Sequence, residues 1–137
     1  MRIIIAGSRS YNNYKELSEV TDKFFDDTGI EKKWSTIITG GAKGADKLGE
    51  KYAFDNILDS IVFEAKWGKY GNAAGVIRNG EMAKNADCLL AFWDGSSKGT
   101  KDMINKAFKR QLRIRVFNFK TKEIRDYGHK FKKEKGE

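Results

Sequence analysis

A chain of 137 residues with 39% hydrophobic and 34% charged residues has the size and balance of one soluble globular domain with a core of its own. Its one cysteine, Cys88, excludes a disulfide framework and points to a reducing cytosol, and the lack of any run approaching ~20 apolar residues excludes a membrane-spanning helix. A formal charge of +8 favours anionic partners such as nucleotides, phosphorylated metabolites or nucleic acid, although a lysine-rich surface that serves only solubility would carry many of the same residues.

Residues 2–6 (RIIIA) form a continuous apolar run of strand length, as a parallel strand covered on both faces requires, and too short for a signal peptide. The run ends at Gly7-Ser8-Arg9-Ser10. Asn13, with Glu16 three residues on, predicts a helix start; Leu17, Val20, Thr21, Phe24 and Phe25 recur at helical spacing as its core face, and Gly29 stops it. A second strand over residues 35–39 runs into Gly40-Gly41-Ala42-Lys43-Gly44-Ala45-Asp46, followed by a helix with Leu48, Tyr52 and Ala53 on one face. Residues 60–65 predict a third strand and residues 67–75 a glycine-rich loop. A third helix then buries Val76, Met82, Ala83 and Ala86. Residues 87–93 read as a fourth strand. A fourth helix starting at Ser97 or Thr100 turns Met103, Ile104, Ala107 and Phe108 inward. Residues 113–119 alternate apolar and polar side chains, which predicts a half-exposed edge strand.

Four strand–helix units closed by a strand predict an α/β doubly wound, Rossmann-like fold. Its sheet is mainly parallel, of five strands or slightly more, with helices on both faces. Residues 1–119 form the domain, and residues 120–137 a basic tail that is a short hairpin, a helix or frayed. Lone His129 in that tail reads as solvated, and Cys88 as packing inside a strand. No His, Cys and carboxylate cluster has metal-ligand spacing, so neither a structural metal nor a cofactor is expected.

Ligands of open α/β sheets bind beyond the C-terminal strand ends, and here four strands end in loops of small and polar residues. Gly7, Gly40, Gly41, Gly44, Gly95 and Gly99 allow a close backbone approach to phosphate, with Ser8, Ala42 and Gly71 in the same loops. No loop has the Walker A or G-x-G-x-x-G spacing. Arg9 and Arg78 are candidate phosphate clamps, because a guanidinium matches phosphate oxygens in a fork; a surface ion pair is the bland alternative. Ser97, Gly99 and Thr100 offer hydroxyls and amides at a helix start. Asp46 and Asp94 are candidate ribose ligands or catalytic carboxylates, or caps of their own helices. Trp67 and Tyr70 can stack on a base, and Asn79 can read a base edge or satisfy loop backbone.

The motifs GSRSY, TGGAKGAD, W-x-x-Y-G-x-x-A-G-x-x-R-N-x-x-M, A-D, AFWDG and S-K-G-T, in that order over residues 2–117, resemble the YspA/YpsA-related branch of the SLOG superfamily. These are Rossmann-like domains similar to the LOG phosphoribohydrolases and to the DNA-processing protein DprA. The LOG pattern R-K-x-x-M-x-x-x-A-D followed by P-G-G-x-G-T-x-x-E is matched at Arg78, Met82, Ala86-Asp87 and Gly99-Thr100. Its glutamate position is Met103 here, with Asp102 one residue early. Cleavage at a ribose C1′ needs a carboxylate near the developing oxocarbenium ion, so the resemblance implies the ligand class more firmly than the reaction.

Three functions follow as expectations. The first is binding of a nucleotide-derived small molecule, such as a nucleoside phosphate, an ADP-ribose-like compound or a cyclic nucleotide signal, by a sensor or sequestering domain. The second is an N-glycosidic hydrolase or transferase acting on a nucleotide 5′-phosphate. The third, and least favoured, is single-stranded nucleic-acid binding, because the basic residues lack interleaved aromatics along one face. Analogy with related folds leaves a homo-oligomer open, with helix faces bearing Tyr52, Phe54 or Met82 as candidate contacts.

Overall fold

A computed structural model of the chain describes residues 1–128. In the first strand, β1 (Arg2–Gly7), alternate isoleucines serve opposite faces of the sheet. Ile3 and Ile5 join one apolar cluster while Ile4 and Ala6 join the other. Both faces are therefore buried, as the unbroken apolar run requires.

The chain continues through α1 (Tyr14–Thr28), β2 (Thr36–Thr39), α2 (Ala45–Asp55), β3 (Asp59–Val62), α3 (Trp67–Tyr70), α4 (Ala74–Lys84), β4 (Cys88–Trp93), α5 (Lys98–Lys109), β5 (Arg113–Asn118) and β6 (Glu123–Tyr127). The sheet order is β3-β2-β1-β4-β5-β6, with β6 antiparallel and the rest parallel. Helices α1 and α2 supply Leu17, Phe24, Phe25 and Tyr52 to one cluster; α4 and α5 supply Met82, Ala83, Met103 and Ala107 to the other. The result is the α/β doubly wound architecture expected from the strand–helix alternation. No helix among the described residues is long and apolar enough to cross a membrane.

Local signals behave as capping chemistry predicts. Asn13 accepts the Glu16 N–H at 3.0 Å, and Gly29 ends α1 in the left-handed conformation at φ 74°. Glu16 does not return the bond. Its carboxylate instead takes the Tyr11 hydroxyl at 2.9 Å and Lys122 at 2.8 Å, which joins the loop after β1 to the β5–β6 turn.

Several expectations are corrected. Residues 113–119 do not make an edge strand. β5 lies between β4 and β6, and its polar residue Arg115 is only 3% exposed. Alternation there encodes a buried ion network: Arg115 forks onto both Asp126 oxygens at 2.7 and 2.9 Å and reaches Asp27 of α1 at 2.8 Å. β3 ends at Val62 rather than continuing to residue 65, because its partner β2 turns away at Gly40. The predicted glycine-rich loop is largely helical, and Gly75 lies inside α4. Val76 and Phe108 point outward; Phe108 packs edge-on against Tyr127 of β6 instead of the core. Tyr52 and Met82 are fully buried and offer no contact surface, whereas Phe54 is exposed. From Glu123 the charged segment forms the second arm of a hairpin, and His129 lies outside the described residues.

Candidate functional site

The strand order reverses between β1 and β4, since β2 and β3 lie to one side of β1 and β4 and β5 to the other. At such a switch point the two following loops diverge and leave a crevice beyond the strand ends. Here the crevice is a cleft of about 540 Å³. Of the residues expected from the sequence, Gly7, Ser8, Arg9, Ala42, Asp46, Trp67, Arg78, Asn79, Asp94, Ser97, Gly99 and Thr100 line it.

Three hydroxyls form a chain along one wall. Ser8 Oγ lies 3.1 Å from Ser97 Oγ, which donates to Thr100 Oγ1 at 3.2 Å, and the Asp94 N–H donates to Ser8 Oγ at 3.3 Å. The Asp94 carboxylate accepts the N–H groups of Ser96 and Ser97, both at 2.8 Å. Those bonds hold its carboxyl below the usual range and commit it to shaping its own loop. Ser97 precedes α5 but its side chain does not cap the helix, so the first α5 amides carry no side-chain cap.

The opposite wall is organised by Arg78 and Asp46. Arg78 Nη1 donates to the Gly40 carbonyl at 2.6 Å and Nε to Asn79 Oδ1 at 3.0 Å. Asp46 does not cap α2; it accepts the N–H groups of Gly40 at 3.0 Å and Ala42 at 3.3 Å. Arginine and carboxylate thus grip the Gly40–Ala42 loop from its carbonyl and amide sides. Asp46 is 5% exposed, and burial pushes its carboxyl up to about 6 against the opposing pull of the Ala42 amide, Arg78 and the Gly40 amide. Burial likewise lowers Arg78, with Asp46 opposing. For both groups the loss of water outweighs their mutual attraction.

Asn79, 6% exposed, joins the walls. Its amide donates to the Gly99 carbonyl at 3.3 Å and to Asp102 Oδ2 at 3.0 Å, and Lys106 takes the other Asp102 oxygen at 2.6 Å. Asp102, absent from the expected set, lines the cleft, as does Met103 at the position of the LOG glutamate. The signal was present in the one-residue offset from that pattern, and helical geometry decides it only once α5 has a fixed start.

Six expected residues fall outside the cleft lining. Tyr70 faces a separate groove with Val62 and Ile77. Gly71 and Gly95 serve turns at φ 57° and 90°, and Gly41 a turn at φ 73°. Gly40 leaves room for Arg78, since a Cβ there would sit 2.4 Å from Nη1. Gly44 passes beneath the first loop, where a Cβ would lie 2.3 Å from the Ser8 carbonyl oxygen.

A pH dependence follows from Asp46. Its folded value lies above the ordinary 3.8, so the stability it contributes is complete below about pH 4 and is lost as pH rises through about 6. Asp46→Asn keeps an acceptor for both amides and removes that slope. Urea denaturation between pH 4 and 7 is expected to show the variant gaining on the wild type by on the order of 2 kcal/mol as pH rises. An equal pH slope in both proteins would contradict a buried, proton-binding Asp46.

Comparison with known proteins agrees with this architecture. A family model for the YspA, cpYpsA-related SLOG family matches residues 1–70. Gene 61 protein of Mycobacterium phage D29 is 34% identical over 128 residues, covering 88% of this chain and 98% of that protein. The X-ray structure of TM1055, a structural-genomics target, shares the fold with a TM-score of 0.59 over 82% of this chain and 71% of its own, at 16% identity. The chain belongs to the YspA, cpYpsA-related SLOG family.

Proposed function

We propose that the cleft binds a nucleotide-derived small molecule through its phosphate and sugar. One observation carries this reading: the Ser8–Ser97–Thr100 hydroxyl chain, the α5 N-terminus and the Arg78 guanidinium share one cleft at the switch point of the sheet. A phosphate beside Ser97 and Thr100 would receive hydroxyl and amide hydrogen bonds and the favourable end of the α5 dipole. Arg9 and Lys98 line the same cleft and make no ion pair among the described residues, so both are free to meet an anion. Trp67, half-exposed at the rim, supplies a stacking face for a base. A cleft of this volume suits one small ligand better than a nucleic-acid strand.

A second reading, cleavage of the N-glycosidic bond, draws on Asp46 and Asp102, two carboxylates in the same lining. The two readings separate in one experiment. The protein is incubated with nucleoside mono- and diphosphates, NAD-like compounds and cyclic nucleotides, and the melting temperature and free base are both followed. A rise in melting temperature without base release supports binding alone, and base release supports the hydrolase. No response to any phosphate compound refutes both.

Arg9→Ala combined with Lys98→Ala is expected to weaken phosphate-ligand affinity about 10-fold or more at low salt, with little change in stability, because both side chains are exposed. Titration calorimetry with the best ligand tests this. Unchanged affinity would remove these two residues from the phosphate site.

A further inference from the structure

We propose that the cleft selects ribose ligands over their deoxy counterparts, with the unpartnered carboxylate oxygen of Asp46 receiving the sugar hydroxyls; the inference rests on the nucleotide-binding reading of the same cleft. Asp46 is 5% exposed, and its two oxygens have different surroundings. Oδ2 accepts both loop amides, those of Gly40 and Ala42. Oδ1 accepts no hydrogen bond among the described residues, yet it is not sealed in the core. Since Asp46 lines the cleft, the water that reaches Oδ1 is water a ligand displaces. The other carboxylates of the lining are placed differently. Asp102 has both oxygens engaged, by Asn79 and Lys106, and Asp94 is only half-buried and bent onto its own loop.

What Oδ1 can receive follows from its charge. Burial pushes the Asp46 carboxyl up to about 6, so near pH 7.5 it is ionised and acts purely as an acceptor. A ligand that fills the cleft strips water from this oxygen, and leaving it without a donor then costs the desolvation of a charged atom. Phosphate oxygens are themselves negative and bring no proton at this pH, which directs a phosphate to the Ser8–Ser97–Thr100 wall and away from Asp46. Sugar hydroxyls are donors, and in a nucleoside 5′-phosphate the 2′ and 3′ hydroxyls sit on the ring away from the phosphate arm. The gap between the walls suits this arrangement. One amide, that of Asn79, meets Arg78 Nε at 3.0 Å on one side and the Gly99 carbonyl at 3.3 Å on the other, a span of about one sugar ring. Val76, Met82 and Met103 line the same cleft and offer apolar surface to the ring carbons.

Titration calorimetry near pH 7.5 tests this by comparing common ribonucleoside 5′-monophosphates with their 2′,3′-dideoxy counterparts, in the wild type and in Asp46→Asn. The wild type is expected to hold the best-bound ribo form about 10-fold or more tighter than its dideoxy form, the worth of a hydrogen bond to a charged group. Asp46→Asn keeps an oxygen for the two loop amides and turns an amide N–H₂ toward the cleft in place of Oδ1, so the preference is expected to fall below about 3-fold. The lost charge changes both affinities alike, and their ratio isolates the hydroxyls. Circular dichroism checks that the variant is folded, and the wild-type comparison stands without it. Equal affinities for ribo and dideoxy forms in the wild type, or an undiminished preference in Asp46→Asn, would overturn the proposal and leave nucleotide binding intact. Binding of neither form would overturn both.

Discussion

Gly44→Ala is expected to destabilise the domain by about 3–5 kcal/mol or to prevent folding, and with it to remove the ligand binding proposed for the cleft. Gly44 holds φ 78° and ψ −130°, a backbone region nearly closed to residues with a Cβ. A Cβ added there would sit 2.3 Å from the Ser8 carbonyl oxygen and 2.5 Å from that of Arg9. Both obstacles are backbone atoms of the loop that lines the cleft, so relief requires moving that loop. Gly29→Ala is the control. Gly29 also has positive φ, at 74°, but a Cβ there meets nothing within 4 Å, so only the conformational cost of about 1 kcal/mol remains. Urea midpoints of the two variants should therefore differ widely. Similar midpoints would show that loop crowding at Gly44 is not the controlling feature.

Arg115→Leu is expected to cost about 3 kcal/mol, because a buried guanidinium is replaced while Asp27 and Asp126 remain as partly buried carboxylates without their principal cation. Arg115→Lys retains the charge but cannot reproduce the fork onto Asp126, and should recover only part of the loss. The effect is pH-dependent with a definite sign. Burial pushes Asp27 upward, but the bonds from Arg115 and Lys23 prevail and hold its carboxyl below the ordinary 3.8. The stability it contributes is therefore present above about pH 4 and lost on acidification. The gap between wild type and Arg115→Leu should narrow as pH falls below 4. A gap that is constant from pH 7 to 3 would assign the loss to packing of the arginine stem instead.

The strands of the central sheet are legible in the sequence because their coding is redundant. RIIIA and CLLAFW are apolar at nearly every position, and only a strand covered on both faces needs that. The cleft loops are legible only in part: Gly7, Ser8, Ser97, Gly99 and Thr100 line the cleft, whereas Gly41, Gly71 and Gly95 of the same composition serve turns. What escapes is whatever depends on a partner distant in the chain. Arg115 looks like the polar half of an exposed strand, and its burial is intelligible only with Asp27 and Asp126, from α1 and β6, around it. Asp46 has the spacing of a helix cap, but the amides it binds belong to the preceding loop. Tyr70 follows Trp67 by three residues, a spacing that suggests a shared aromatic wall. The single turn of α3 stands between two openings, however, and Trp67 lines the cleft while Tyr70 lines the β3 groove. Asp102 and Met103 differ by one residue, about 100° around a helix, yet both reach the cleft because it opens onto the first turns of α5.

The strand order has a consequence for how the molecule is made. β1 emerges before both of its partners during synthesis but lies between them in the sheet, with Ile3 opposite Ile37 on one side and Cys88 on the other. Its second partner does not exist until the chain has grown past residue 92. Through that interval an isoleucine-rich segment stands with an unsatisfied edge, the kind of segment that pairs with strangers. Parallel pairings of such long separation also place folding among the slower topologies. Ser8 and Ser97 belong to loops from opposite ends of that wait, so during synthesis the pocket they share can close only after residue 97 has been made.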